Sequence, residues 1–164
     1  MGLTMRTRGT GSAPALAVAL LSAAVWLVAP ASGEERSPGF RTFDVSDGLS
    51  QSQVEAIAQD GDGYAWLATR HGLSRFDGRR FKTFLVEDGL FDNQVISAAE
   101  AADGRVWFGH AGGGLTRLSE GRLEAHAIPF PGAPHPISAL ATDGRGALWI
   151  GTAGAGIARR SPKG

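Results

Sequence analysis

Trp66, Trp107 and Trp149 stand 41 and 42 residues apart, and each is set in the same surroundings. A glycine lies three residues before each indole (Gly63, Gly104, Gly146), and an aliphatic residue lies twelve before it (Val54, Val95, Ile137). A Gly-Leu or Gly-Ile step follows within eight residues (Gly72-Leu73, Gly114-Leu115, Gly156-Ile157), with an arginine two positions later (Arg75, Arg117, Arg159). A period of ~40 residues means one supersecondary unit per repeat, each burying its apolar face on the next. The fold is therefore an array of like units, not one core wound from unlike elements.

The content of a unit follows from its turns. Tyr64 to Thr69 is short and rich in β-formers, Leu73 to Phe76 alternates apolar and polar, and Asp77-Gly78 marks a hairpin before Phe81 to Phe84. Upstream, Val54 to Ala58 ends at Asp60-Gly61-Asp62-Gly63, a second turn. A helix over Val54 to Ala58 is the alternative, because Val54 and Ile57 are three apart, but the turns leave only about five residues, too few for a stable helix. Four short strands in one repeat make a β-propeller blade. The expected fold is all-β: a partial β-propeller of about three four-stranded antiparallel blades behind an N-terminal signal peptide. Each Trp packs between blades. Gly63, Gly104 and Gly146 supply positive φ in the preceding turn, and Asp60 and Asp143 bond the backbone of that turn. In the second repeat Ala101 takes the aspartate's place, so the cap is lost there.

Phe40-Arg41-Thr42-Phe43 before Asp47-Gly48-Leu49 duplicates Phe81-Lys82-Thr83-Phe84 before Asp88-Gly89-Leu90, and a degraded third copy runs from Leu123 to Ile128. The repeating part is thus expected to open on an outermost strand and to close after the third strand of another blade, an arrangement in which a first strand can complete a last blade. The expected boundaries are a signal peptide over 1–31, a linker over 32–39, the partial propeller over 40–160 (repeats of about 40–80, 81–122 and 123–160) and a tail over 161–164.

The leader is inferred from Arg6 and Arg8, the apolar run Ala13 to Ala29 and the small-x-small site Ala29-Pro30-Ala31. An uncleaved membrane anchor is the alternative. The run falls short of the ~20 residues a spanning helix needs. With 16 basic and 16 acidic residues the net charge is zero, so nothing favours nucleic acid as a partner. Export without a single cysteine points to a bacterial periplasm or outer surface rather than a disulfide-stapled scaffold.

The joint pattern Asp-Gly-Leu, Asp-x-x-Gly-x-x-Trp and Thr-x-x-Gly-Leu-x-Arg-Phe-Asp-Gly stands here as Asp47-Gly48-Leu49, Asp60 to Trp66 and Thr69 to Gly78. Asp88 to Val95, Trp107-Phe108-Gly109 and Asp143 to Thr152 continue it. It resembles the two-component regulator propeller repeat family. The resemblance covers about residues 40 to 160 and implies the periplasmic sensor of membrane histidine kinases, hybrid two-component systems and some diguanylate cyclases, with oligosaccharide ligands in several groups. Full sensors of that kind carry many more repeats, a membrane helix and a cytoplasmic output domain, so a truncated or fragmentary sensor is expected, without a kinase segment of its own.

Several motifs lead nowhere chemically. Gly109 to Gly114 lacks the lysine and helix start of a phosphate cradle. Asp60 to Gly63 opens like a calcium loop, but the twelfth position from Asp60 is His71 instead of glutamate. His71, His110, His126 and His135 are too far apart for a local metal pair. No catalytic residues, cofactor or metal are expected. The best site candidate is the polar loop face where the crossings between blades meet the turns after the Trp strands: Gln51, Gln53, Arg70, His71, Asp92, Asn93, Gln94, His110 and His135. Such a rim suits a neutral hydroxylated ligand, and the resemblance makes an oligosaccharide the natural example. The plain alternative is that turns are polar because they are wet.

Three functions compete. The leading one is a non-catalytic periplasmic ligand-sensing module. The second is a self-assembling interaction protein: three blades fall below the usual four to eight, open edges invite pairing, and two copies would close a six-bladed ring. A propeller lyase is the third. A homo-oligomer or a partner sensor chain is the expected protein partner, and membrane contact is expected only through an uncleaved leader.

Overall fold

The computed structural model describes residues 39–101, 103–132 and 134–161. The expected leader over 1–31, the linker up to residue 38 and residues 162–164 lie outside them. Eleven strands are described: β1 (Val54–Gln59), β2 (Ala65–Thr69), β3 (Gly72–Phe76), β4 (Phe81–Phe84), β5 (Val95–Glu100), β6 (Val106–His110), β7 (Gly114–Ser119), β8 (Arg122–Ala127), β9 (Ile137–Thr142), β10 (Leu148–Thr152) and β11 (Ile157–Arg160). They form three antiparallel meanders, β1-β2-β3-β4, β5-β6-β7-β8 and β9-β10-β11. The protein is an all-β partial propeller.

Register repeats as faithfully as sequence. Trp66 lies opposite Arg75, Trp107 opposite Arg117 and Trp149 opposite Arg159. Each guanidinium then sits over its own indole, at 5.8, 5.9 and 5.5 Å from the ring centroid, a cation–π contact. The first strand of every sheet is irregular at one place, after Val54, Val95 and Ile137, where the pairing skips Glu55, Ile96 and Ser138. A bulge there adds local twist and bends the innermost strand.

The turn before each indole is built by its aspartate. Asp60 Oδ1 accepts from the amides of Asp62 (3.1 Å) and Tyr64 (2.9 Å), and Asp143 Oδ1 from those of Arg145 and Ala147 (both 2.9 Å). The second carboxylate oxygen accepts from the indole itself, Trp66 Nε1 at 2.7 Å and Trp149 Nε1 at 3.4 Å. The aspartate therefore fixes both the turn and the ring. At Ala101 the turn is closed by backbone bonds to Arg105 and Gly104, with Asp103 Oδ1 accepting from the Arg105 amide. Gly63, Gly104 and Gly146 have φ of 87°, 78° and 80°, the left-handed region that a side chain would disfavour.

Apolar faces are buried between successive sheets. Trp66 joins Val95, Val106, Phe108 and Leu118 of the second sheet, and Trp107 joins Ile137, Leu148 and Ile150 of the third. Trp66 and Trp107 are 2% and 3% exposed, and Trp149, with no sheet beyond it among the described residues, is 37% exposed.

Two short 3-10 turns, Val45–Asp47 and Val86–Asp88, lead into the Asp-Gly-Leu steps. Asp47 and Asp88 each bond the amide just before their turn, at Asp44 (3.0 Å) and Leu85 (2.9 Å). The following leucines, Leu49 and Leu90, are buried.

The structure corrects one element. Phe40 to Phe43, expected as a strand, has no strand assignment. A ladder needs a neighbour, and among the described residues no third strand lies beside this segment. Side-chain packing holds it instead: Phe43 meets Phe76 and Phe81 at ring separations of 4.7 and 5.7 Å.

Candidate functional site

The loops that cross between sheets and the turns joining the second and third strands gather at one end of the array. Contacts between them repeat. The first turn amide in each sheet donates to the crossing segment: Arg70 N–H to Gln51 Oε1 (3.1 Å), Ala111 N–H to Gln94 O (3.0 Å) and Ala153 N–H to Pro136 O (2.9 Å). Successive sheets are tied as well, since the Gly72 amide donates to Asn93 O at 2.8 Å.

Beneath these loops lies a chain of hydroxyls. In the first repeat Ser74 Oγ donates to Ser50 Oγ (2.8 Å), Ser50 Oγ meets Thr69 Oγ1 (2.9 Å), and Thr69 Oγ1 donates to Gly72 O (2.8 Å). The Ser50 amide returns to Ser74 Oγ at 3.1 Å. The second repeat does the same with other residues: the Phe91 amide donates to Thr116 Oγ1 (2.9 Å), which pairs with His110 Nε2 (2.7 Å). The crossing loop is thus pinned to the third strand of its own sheet. None of these hydroxyls stood out from sequence; the only available signal was the place three residues after the indole that Thr69 and Thr152 share.

The expected rim residues separate into three groups. Gln53, Arg70, His71 and Gln94 are exposed at the loop end. Glu55 gathers two of them, accepting from Gln53 Nε2 (3.0 Å) and Arg70 Nε (2.7 Å). Gln51, Asp92, Asn93 and His135 are half-buried and shape the loops. Asp92 accepts from the amides of Gln94 (3.2 Å) and Gly112 (3.0 Å), and Asn93 Oδ1 from that of Val86 (2.9 Å).

His110 is the third group and a correction. It is not in a turn with His71; it ends β6 in the register that Thr69 holds in β2, as the pairs Val95–His110 and Val54–Thr69 show. Its side chain is 0% exposed and packs against Phe91 at 5.9 Å. Burial lowers its pKa from 6.5 to about 4, against a smaller opposing pull from Asp92. It is a neutral core histidine, closed to an external ligand.

A shallow cleft of about 160 Å³ opens among these loops, walled by Phe91, Gly112, Gly113, Phe130, Pro134 and His135. It offers apolar ring faces beside backbone amides and one imidazole, a lining for a small polar molecule with an apolar face. Among the described residues no group of three His, Asp or Glu side chains is placed to hold a metal ion.

Comparison with known proteins fits this geometry. Residues 48–71 and 89–112 match the family model described as two component regulator propeller. Each match runs from the glycine of Asp-Gly-Leu, through the indole strand, to the loop-end turn. These two segments are similar to the two-component regulator propeller repeat. Over 42 residues these repeats are 52% identical to histidine kinase P4 of Formosa agariphila, a stretch that is 26% of this chain and 3% of the kinase. The propeller repeats also superpose on the extracellular domains of two hybrid two-component systems from B. thetaiotaomicron. One gives a TM-score of 0.61 at 19% identity over 74% of this chain and 17% of that domain. The other gives 0.58 at 27% identity over 72% of this chain and 16% of that domain. The chain thus spans less than a fifth of these relatives.

Proposed function

We propose that this chain is a non-catalytic, ligand-sensing propeller segment of a two-component signalling system, working outside the cytoplasm. The observation that carries the reading is the set of repeated loop-end contacts, at the end where Gln53, Arg70, His71 and Gln94 are exposed and where the cleft at His135 opens. The kinship of the repeats with a histidine kinase and with extracellular domains of hybrid systems supports the signalling half. A neutral hydroxylated ligand, of which an oligosaccharide is the natural example, matches amide, imidazole and guanidinium donors set beside apolar rings. Calorimetric titration with a panel of neutral oligosaccharides tests this. Saturable binding to at least one sugar, weakened tenfold or more (about 1.4 kcal/mol) by Arg70→Ala with His71→Ala, is expected. Binding indifferent to both substitutions, or turnover of the sugar, would refute the reading.

A further inference from the structure

The cleft at His135 opens where the loops of the second and third sheets depart from their own repeat. The interval of 42 residues that parts Trp107 from Trp149 also relates Ala127, Gly132 and His135 to Leu85, Leu90 and Asn93 at the preceding junction. There both leucines fill space: a Cβ on Gly72 would meet Leu85 Cδ2 at 2.8 Å, and Leu90 is 2% exposed. At the second junction the same places hold a methyl group and a hydrogen atom. Asn93, whose side-chain oxygen closes its crossing onto the Val86 amide, gives way to the imidazole of His135. The 3-10 turn Val86–Asp88 has no equivalent over residues 128–130. Residues that recur in every repeat answer to the fold, and residues that break the pattern at one place do not. Here they leave a hollow where the fold would accept a plug.

The aromatic wall of the hollow is another such departure. Ser50 follows the first Asp-Gly-Leu step, and Phe91 follows the second. The backbone bond is the same in both, Ser50 N–H to Ser74 Oγ and Phe91 N–H to Thr116 Oγ1, so the ring is not needed to pin the loop. It is nevertheless fixed. A Cβ on Gly114 would collide with three atoms of the Phe91 ring, and His110 lies 5.9 Å away on another side. The wall is set before any ligand arrives. His135 is seated between glycines: a Cβ on Gly154 would stand 3.1 Å from Nδ1, and one on Gly132 3.9 Å from Nε2. Those two positions therefore leave the ring nitrogens uncovered on their sides.

We propose that this cleft holds a single uncharged sugar ring, its C–H face stacked on Phe91 and a hydroxyl hydrogen-bonded to the His135 imidazole. The proposal rests on the oligosaccharide reading above and gives that ligand its anchor. A pyranose has the required two aspects, an apolar face for an aromatic ring and hydroxyls at its rim for a donor or acceptor. The volume of about 160 Å³ is well below the ~300–1,000 Å³ of pockets for drug-sized molecules, so it admits one ring and not two. Among the described residues no carboxylate, lysine or arginine lines it. The Asp92 carboxylate, which accepts from the Gly112 amide at 3.0 Å, disfavours an acidic sugar by like-charge repulsion.

Calorimetric titration of the full chain with neutral oligosaccharides, and with the same sugars carrying a uronate at one end, tests this. The substitutions are taken from the preceding junction, which already accommodates them: Phe91→Ser, His135→Asn and Ala127→Leu. Circular dichroism should show all three folded like the parent. Phe91→Ser should weaken binding of the neutral sugar at least about tenfold and His135→Asn about threefold or more. Ala127→Leu should abolish binding by refilling the hollow, and the uronate should bind at least about tenfold more weakly than its neutral counterpart. Gln59→Ala, at the opposite end of β1, should leave affinity unchanged. Sugar binding that survives all three substitutions, or a uronate bound as tightly as the neutral sugar, would overturn the subsite and leave the sensing reading standing. Absence of binding by every sugar would overturn both.

Discussion

A repeat indole can be held by three groups at once, an aspartate on its nitrogen, an arginine on its face and the next sheet against its edge, but Trp107 lacks the aspartate and Trp149 has no covering sheet among the described residues. Trp66 has all three, and Trp66→Ala should cost about 3–5 kcal/mol, the range for emptying a large aromatic site, measured by denaturant unfolding. Trp149→Ala should cost less than half of that in dilute solution, because a third of its surface is already wet. His110 makes a different prediction. Its folded pKa of about 4 lies below the ordinary 6.5, so the unfolded chain takes up a proton that the folded chain refuses. Stability is therefore lost as pH falls from 6.5 toward 4, by up to about 3 kcal/mol, and is untouched above that window. His110→Thr, the residue found at this position in the first and third repeats, should flatten that slope in thermal melts between pH 4 and 7. The glycines and aspartates of the turns were legible in sequence because a tight turn admits few residue types. The depth of His110 was not legible: β6 is followed by a Gly-rich turn one residue longer than the first repeat's, which blurs the register that separates a last strand residue from a rim residue.

Individual sheets are tied to their connectors by hydroxyls as well as by apolar contact. Ser74→Ala would strand the Ser50 amide in a part-buried site and leave the Ser50 hydroxyl with Thr69 alone, and a loss of about 1–3 kcal/mol is expected. Thr116→Val should do the same to the Phe91 amide. Both changes should also raise amide exchange in the loop-end turns ahead of the strands, readable by mass spectrometry. The strands themselves were plain in sequence, because alternation and turn dipeptides are local. Phe40 to Phe43 shows where locality stops: the residues of an outer strand are present, but a strand exists only when another lies beside it, and that condition is not written in the segment. The third copy, β8, illustrates the converse, since Arg122–Ala127 has lost most of its aromatic residues and still pairs along its full length with β7.

For the molecule as a whole, the zero net charge makes a prediction about the loop face. Recognition of a neutral ligand there should be almost insensitive to salt, because no long-range attraction is available to screen. Raising ionic strength from about 0.05 to 0.5 M should leave the dissociation constant within a factor of about two, and a strong salt dependence in calorimetry would point to an anionic ligand instead. The gathering of crossings and turns at one end was available from sequence, because a meander places them there. The membership of that face was not, because residues such as Asp92 and Asn93 spend their polar atoms on backbone amides and only the fold reveals that commitment.

The stagger between an indole and the sheet that covers it gives the array a direction. Every sheet leaves its tryptophan for its successor to shelter, so one end always offers a ring and the other always offers a receptacle. Growth by duplication can then proceed by simple addition, with each new unit arriving already cut to fit the last, and the lineage can change its circumference without redesigning a single joint.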